Sequence, residues 1–233
     1  MNGSALYQWP STARFGRVVP KTKLYEHGKV KAAVREKFVA EVQRITWAYK
    51  LADATIHLEG DPAVPEIQVF VLDARADDVS DTVLAAVDRA VRFPIIFEIV
   101  IGNGVEKKTR MVAAHKKVGD SAPSLSSYFS TDWLAADTAR EPLPHALDLP
   151  GLYAEVLAPL IPVGRIPGEP IADTVARAEE SRKVEREIAT LTRRLGAEPQ
   201  LNRKFQIRRQ LRDRTAALKE LANPTPQTTN SHP

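Results

Sequence analysis

Two segments near the middle of the chain carry its densest hydrophobic pattern. Glu66 to Ala74 (EIQVFVLDA) and Phe93 to Ile101 (FPIIFEIVI) place apolar side chains at both odd and even positions. Because alternate side chains of a strand point to opposite faces, this pattern predicts two strands that are buried on both faces of a sheet. Between them an apolar stripe at helical spacing predicts a helix that begins near Asp81.

A different pattern precedes these strands. From Lys29 to Lys50 apolar residues recur at spacings of four, four, three and four, which is one face of an amphipathic helix. The residues of this face are Val34, Phe38, Val42, Ile45 and Tyr49. We therefore expect one helix over this range.

Turn residues join the later strands. Gly102-Asn103-Gly104 follows the second buried strand and predicts a hairpin turn, because glycine and asparagine tolerate positive φ. Lys107 to Val118 is then the returning antiparallel strand, and Ser127 to Leu134 a further strand. The order of elements predicts an α+β fold with a mixed or antiparallel sheet of four to five strands covered by helices.

A glycine- and proline-rich segment, Val163 to Pro170, separates this region from a helical one. Residues 171–222 predict two helices that break near Gly196 and Pro199, which is typical of an antiparallel helical hairpin with a coiled-coil-like seam. The predicted organisation is an α+β body (1–162), a linker (163–170), a helical hairpin (171–222) and a disordered polar tail (223–233).

The seam of the hairpin is thin, since fewer than four clean heptads are apolar. We expect it to need a second surface, supplied by its own body, by a second copy in a homodimer, or by a partner protein. The candidate partner-binding residues are Val184, Ile188, Leu191, Leu195, Leu211 and Leu218.

Charge is concentrated in the same region. Residues 172–222 hold 13 Lys and Arg against 8 Asp and Glu, whereas the rest of the chain holds 20 against 21. Excess positive charge on the last helix indicates contact with phosphates or with an acidic partner, although a solvated basic helix is an equal alternative. The candidate nucleic-acid-binding residues are Arg203, Lys204, Arg208, Arg209 and Arg212.

Several classes of chemistry lack the residues they require. The chain has no cysteine, its five histidines show no metal-ligand spacing, and neither phosphate-binding glycine loop nor a nucleophile elbow is present. We expect no metal, no cofactor and no catalytic residue. No segment is apolar over the length that spans a bilayer, and no secretory signal is recognised, so a cytoplasmic protein is expected.

One acidic pattern keeps an enzymatic alternative open. Restriction-type nucleases hold a divalent metal with an acid on one strand and Glu-x-Lys, sometimes Glu-x-Gln, on the next. Glu66-Ile67-Gln68 has this form, but no lysine occupies the key position. The alternative interpretation is that Glu66 and Gln68 are polar residues at the solvent end of a strand.

Five strings together give the chain a resemblance to a known family. They are Val19-Pro20-Lys21, ITWAYKL from Ile45, EIQVFVL from Glu66, FPIIFEI from Phe93, and Leu201-Asn202-Arg203-Lys204. Through the order and spacing of these five strings, the chain resembles, nearly end to end, the bacterial domain-of-unknown-function family 4391. Members are often encoded beside helicase-like ATPases and DNA methyltransferases, in loci that resemble restriction or phage-defence systems.

The resemblance implies an accessory subunit of a DNA-handling complex and supplies no catalytic residues. The function we expect is therefore a non-catalytic interaction subunit, whose C-terminal hairpin docks a helicase-like ATPase or a DNA methyltransferase and whose basic last helix adds DNA contact. Two alternatives stay open: a metal-dependent nuclease built on Glu66 and Gln68, and a sequence-independent DNA-binding protein.

Overall fold

The computed structural model describes residues 6–28, 30–117 and 124–223. The chain divides into two compact units at Leu160 and Ile161. We call the first the body and the second the hairpin unit. The corresponding sequence prediction placed the body at 1–162 and began the hairpin at residue 171, after the linker.

Nine strands and five helices form the described part of the body. The strands are β1 (Tyr7–Gln8), β2 (Arg14–Val18), β3 (Val42–Leu51), β4 (Ile67–Ala74), β5 (Ile95–Ile101), β6 (Lys108–Lys117), β7 (Ser124–Ser130), β8 (Leu134–Ala135) and β9 (Glu141–Pro142). The helices are α1 (Lys21–His27), α2 (Ala32–Glu41), α3 (Asp53–Ile56), α4 (Asp81–Ala90) and α5 (Leu149–Leu157).

The main sheet is mixed. Its strand order is β2-β3-β4-β5-β6-β7, and β8 also pairs with β6. All neighbours are antiparallel except β4 and β5, which are parallel and joined through α4. The predicted α+β class is confirmed, as is the antiparallel pairing of β5 and β6 across the glycine-rich turn. The sheet is larger than predicted because β2, β3 and β8 add to it.

The single helix predicted from Lys29 to Lys50 is wrong. Helix α2 ends at Glu41 and the chain continues as strand β3. The β3–β4 ladder contains two register shifts, one between Val42 and Arg44 and one between Trp47 and Tyr49. A bulge inserts one extra residue into a strand, so burial in β3 recurs at every third position instead of every second. A three-residue spacing of apolar positions resembles the spacing on one face of a helix, so the sequence pattern predicted a helix here.

The core of the body lies between one face of the sheet and helices α2 and α4. Phe38 from α2 and Leu84 from α4 pack in one cluster with sheet residues that include Phe70 and Phe97. These four side chains are at most 2 % exposed. Burial of a large apolar side chain stabilises a fold by roughly 1.5–3 kcal/mol, so this cluster fixes the sheet and the helices together.

A buried ion pair lies at the carboxyl end of α4. The Nζ of Lys116 lies 2.7 Å from Oδ1 of Asp88 and also donates to the carbonyls of Asp88, Val91 and Phe93. The hydroxyl of Tyr128 donates to Oδ2 of Asp88 at 2.6 Å. Burial raises the pKa of Asp88 and lowers the pKa of Lys116, and the attraction between the two groups opposes both shifts.

The hairpin unit contains two long helices, α6 (Ile171–Ala197) and α7 (Leu201–Ala222), joined by three residues. At 1.5 Å per residue they extend over about 40 Å and about 33 Å. This confirms the predicted helical hairpin. Helix α6 includes Gly196, so the break falls at residues 198–200. No helix in the described ranges is long and apolar enough to cross a membrane.

Candidate functional site

The seam between α6 and α7 is incompletely packed. Of the six predicted partner-binding residues, Val184 is buried and the other five, Ile188, Leu191, Leu195, Leu211 and Leu218, are half-buried. The one buried residue of α7 is Ile207, which the sequence pattern did not single out. A cavity of about 520 Å³ lies beside Leu191, and most of its lining is polar. The role of the six predicted residues in partner binding stays a prediction.

The base of the hairpin is held by one arginine. The Nη2 of Arg177 lies 2.6 Å from Oε2 of Glu169, and its guanidinium also donates to the carbonyls of Gly164 and Leu221. These bonds tie the segment before α6 to the end of α7. The hydrogen bond from Arg177 lowers the pKa of Glu169. The predicted linker residues Gly164 and Glu169 are therefore part of the hairpin unit.

One face of α7 is exposed along much of its length. Leu201, Phe205, Arg208 and Arg212 stand at positions i, i+4, i+7 and i+11, which places them in one line on a helix. All four are exposed, and Leu201 and Phe205 keep 64 % and 59 % of their surface accessible. We call these four residues the outer face of α7. It begins with two large apolar side chains and ends with two cations.

The five predicted nucleic-acid-binding residues do not share this face. Arg203 and Lys204 lie four and three residues before the buried Ile207, so they belong to the inner side of α7, and Lys204 is half-buried. Arg208 and Arg212 belong to the outer face, and Arg209 is exposed beside it. The structure therefore brings three of the five cations together.

The cations at and beside the outer face form no ion pair with any residue that the structure describes. Within the described part of the chain, Arg208, Arg209 and Arg212 make no ion pair, whereas Arg214 on the inner side lies 3.1 Å from Oε2 of Glu187. Exposed cations that form no ion pair create a positive potential at the surface. The outer face therefore combines apolar area with an attraction for negatively charged groups.

Glu66 and Gln68 lie inside the body, so the interpretation that they are at a solvent end is wrong. They are 8 % and 4 % exposed. Lys50 of β3 is paired with Gln68 in the ladder, and its Nζ lies 2.8 Å from Oε2 of Glu66. Gln68 donates from Nε2 to Oε1 of the same carboxylate. Both oxygens of Glu66 are therefore engaged by neighbours on two strands.

No group of three or more His, Cys, Asp or Glu that could hold a metal ion occurs in residues 6–28, 30–117 and 124–223. The nuclease alternative therefore depends on Glu66 together with Lys50 and Gln68.

A further buried carboxylate, Glu98, was not predicted from the sequence. Arg140 binds it with two hydrogen bonds of 2.7 and 2.8 Å, and Nε1 of Trp9 donates to it at 2.7 Å. The hydrogen bond with Glu98 raises the pKa of Arg140. The one signal for this cluster was a charged residue in the middle of the apolar run FPIIFEIVI. The position of Glu98 indicates a structural role, because Arg140 also donates to the carbonyl of Tyr7 and so holds strand β1.

A comparison with family models covers both units. The model described as "Domain of unknown function (DUF4391)" matches residues 8–218. The chain belongs to this family. The family resemblance predicted from the five strings is thus confirmed. Neither a curated protein nor a solved structure matches the chain. The description of the DUF4391 family states no activity, so function has to be argued from the geometry.

Proposed function

We propose that this DUF4391 protein is a non-catalytic, cytoplasmic subunit of a DNA-handling complex, and that the outer face of α7 docks it onto a larger protein. The observation that carries the proposal is the line of Leu201, Phe205, Arg208 and Arg212 on one exposed helix face. Aromatic residues and arginine are enriched in protein interfaces and dominate their binding energy.

The outer face defines the chemistry of the partner. Burying Leu201 and Phe205 contributes roughly 1.5–3 kcal/mol each when an apolar pocket receives them. Arg208 and Arg212, one and two turns farther along, call for carboxylates beside that pocket. The partner is thus a protein with an apolar pocket flanked by acidic residues. The family resemblance makes a helicase-like ATPase or a DNA methyltransferase the expected class.

Co-purification tests the docking surface. The protein is recovered from its own cell with and without nuclease treatment, and its partners are read by mass spectrometry. We expect a stoichiometric partner that survives nuclease and is lost with Phe205→Asp. Gln206→Asp is the matched control, because Gln206 is exposed on the same helix but lies off the outer face. Equal recovery with both variants, at unchanged unfolding midpoints, would contradict the proposal.

We also propose that the basic residues of α7 contact DNA. This second part of the proposal is measured separately. With Arg208, Arg209 and Arg212 as the phosphate contacts, log affinity should fall with log salt at a slope of about −2.7. Five contacts that include Arg203 and Lys204 would give about −4.5. A flat response would remove DNA contact from the proposal and leave protein docking in place.

A metal-dependent nuclease is the second candidate, and one observation favours it. Lys50 lies 2.8 Å from Glu66 and supplies, from the neighbouring strand, the lysine that the Glu-x-Gln pattern lacks. This candidate predicts magnesium- or manganese-dependent nicking of DNA that Glu66→Gln and Lys50→Met abolish. Glu59→Gln is the control, since Glu59 is exposed. Nicking that persists in both site variants would rule out this site.

A further inference from the structure

The body contains a groove with aromatic walls, which shares Gln68 with the nuclease candidate but is not lined by Glu66 or Lys50. Its volume is about 390 Å³, within the range of roughly 300–1,000 Å³ that small-molecule sites occupy. Phe15, Trp47, Phe70 and Phe93 line it. The Trp47 ring lies 7° from parallel to Phe70, and its centroid is 4.1 Å from that of Phe15. Phe15, Trp47 and Phe93 are half-buried, so part of each ring faces the groove.

The charged residues of the lining are all basic. Arg17, Lys23 and His27 are exposed, and none of the described residues that line the groove carries a carboxylate. The guanidinium of Arg17 lies over the Phe15 ring, 4.8 Å from its centroid. This arrangement places positive charge directly at the edge of an aromatic wall, which favours a ligand that is both flat and anionic.

Gln68 gives the groove an unused polar group. Its side chain is only 4 % exposed, and one N–H is bonded to Glu66. The amide oxygen accepts no hydrogen bond within the described ranges. The amide oxygen is not among the fully buried atoms that lack a partner, so it can be reached from the groove and offers an acceptor to a ligand there.

The end of α4 does not cancel the positive charge of the rim. Ala90 and Val91 also line the groove, and the carboxyl end of a helix carries partial negative charge. Here the ammonium of Lys116 binds the carbonyls of Asp88 and Val91. These two carbonyls are therefore hydrogen-bonded from inside the body and do not face the groove as free acceptors.

We infer that this groove binds a nucleoside phosphate. The base packs against Phe15 and Trp47, its edge bonds to the Gln68 amide, and the phosphate is held by Arg17 and Lys23. The ligand is either a free mononucleotide or the terminal nucleotide of a single strand, since both present the same base and phosphate. The inference concerns the body alone and is independent of docking through α7.

Calorimetry on the full chain tests this site. The probes are the four 5′-mononucleotides, the corresponding nucleosides and a 5′-phosphorylated dinucleotide. We expect at least one mononucleotide to bind with Kd below about 1 mM, and its nucleoside about tenfold more weakly. Tighter binding of the dinucleotide would identify a strand end as the source, and equal binding a free nucleotide. Absence of binding by all probes would overturn the inference.

Charge-reversal variants locate the binding. Arg17→Glu and Lys23→Glu should each weaken mononucleotide binding by about tenfold, because each removes a charge-assisted contact. Lys37→Glu, an exposed change on α2 with the same effect on net charge, is the control and should leave binding unchanged. Equal losses in all three variants, with unfolding midpoints preserved, would show a general charge effect and contradict a site in this groove.

Discussion

The body and the hairpin unit treat charge in opposite ways. In the body, Lys116 and Asp88 are buried and form an ion pair, and the buried Glu98 is bound by Arg140. On α7, Arg208, Arg209 and Arg212 are exposed and unpaired among the described residues. The buried charged groups of the body are thus paired with one another, whereas these three cations of the last helix are exposed.

The two units differ in the same way in their apolar residues. The body buries a cluster built around Phe38, Phe70, Leu84 and Phe97, while α7 buries only Ile207 and leaves Phe205 exposed. A helix that contributes one buried side chain gains little stability from its own packing. The body is therefore stabilised by its own core, whereas most side chains of α7 stay at the surface.

The largest effect is expected from Lys116→Met in the body. Removal of the ammonium leaves Asp88 as an uncompensated buried charge and leaves three carbonyls without their donor. We expect the free energy of unfolding to fall by about 3–5 kcal/mol, measured by urea unfolding with tryptophan fluorescence. Lys117→Met is the matched control because Lys117 is exposed, and it should change stability by less than about 0.5 kcal/mol. Similar losses in both would contradict the structural role of the pair.

A smaller effect is expected from Ile207→Ala in the hairpin unit. Truncation of a buried isoleucine costs about 2 kcal/mol or more, and Ile207 is the buried residue of α7. Amide hydrogen exchange of α7 measures this local loss. Leu201→Ala, at an exposed position, should leave exchange nearly unchanged. Equal acceleration in both variants would mean that Ile207 does not hold α7 in place.

The smallest effect is expected from Glu169→Gln at the base of the hairpin. The pKa of Glu169 is lowered in the folded chain, so its pairing with Arg177 stabilises the fold above about pH 4.5 and is lost as the pH falls through the lowered pKa. The variant should lose about 1 kcal/mol at pH 7. In thermal unfolding followed by circular dichroism, the difference from wild type should shrink towards pH 3. A difference that is constant with pH would contradict this assignment.

The sequence allowed much of this fold to be predicted, for local reasons. Strands β4 and β5 are apolar on both faces, and the helical hairpin has its own spacing, so both were recognised. Strand β3 was missed because its two bulges give it a three-residue repeat. That repeat is not distinguishable from a helix without knowledge of its partner strand.

The candidate sites depended more on tertiary structure. The positions of Leu201, Phe205, Arg208 and Arg212 were visible in the sequence, but their shared exposure follows only once Ile207 is known to face inward. The groove unites Arg17, Trp47, Gln68 and Phe93 from four distant parts of the chain. Only the sheet topology brings them together, so no local pattern could have predicted the site.

Hydrogen exchange of the full chain, alone and in the complex recovered from its own cell, tests the central claim most directly. If the outer face of α7 is the docking surface, amides of residues 201–212 gain protection in the complex. Amides of strands β3 to β6 keep the protection they have in the free chain. Protection gained on the body, with residues 201–212 unchanged, would contradict it.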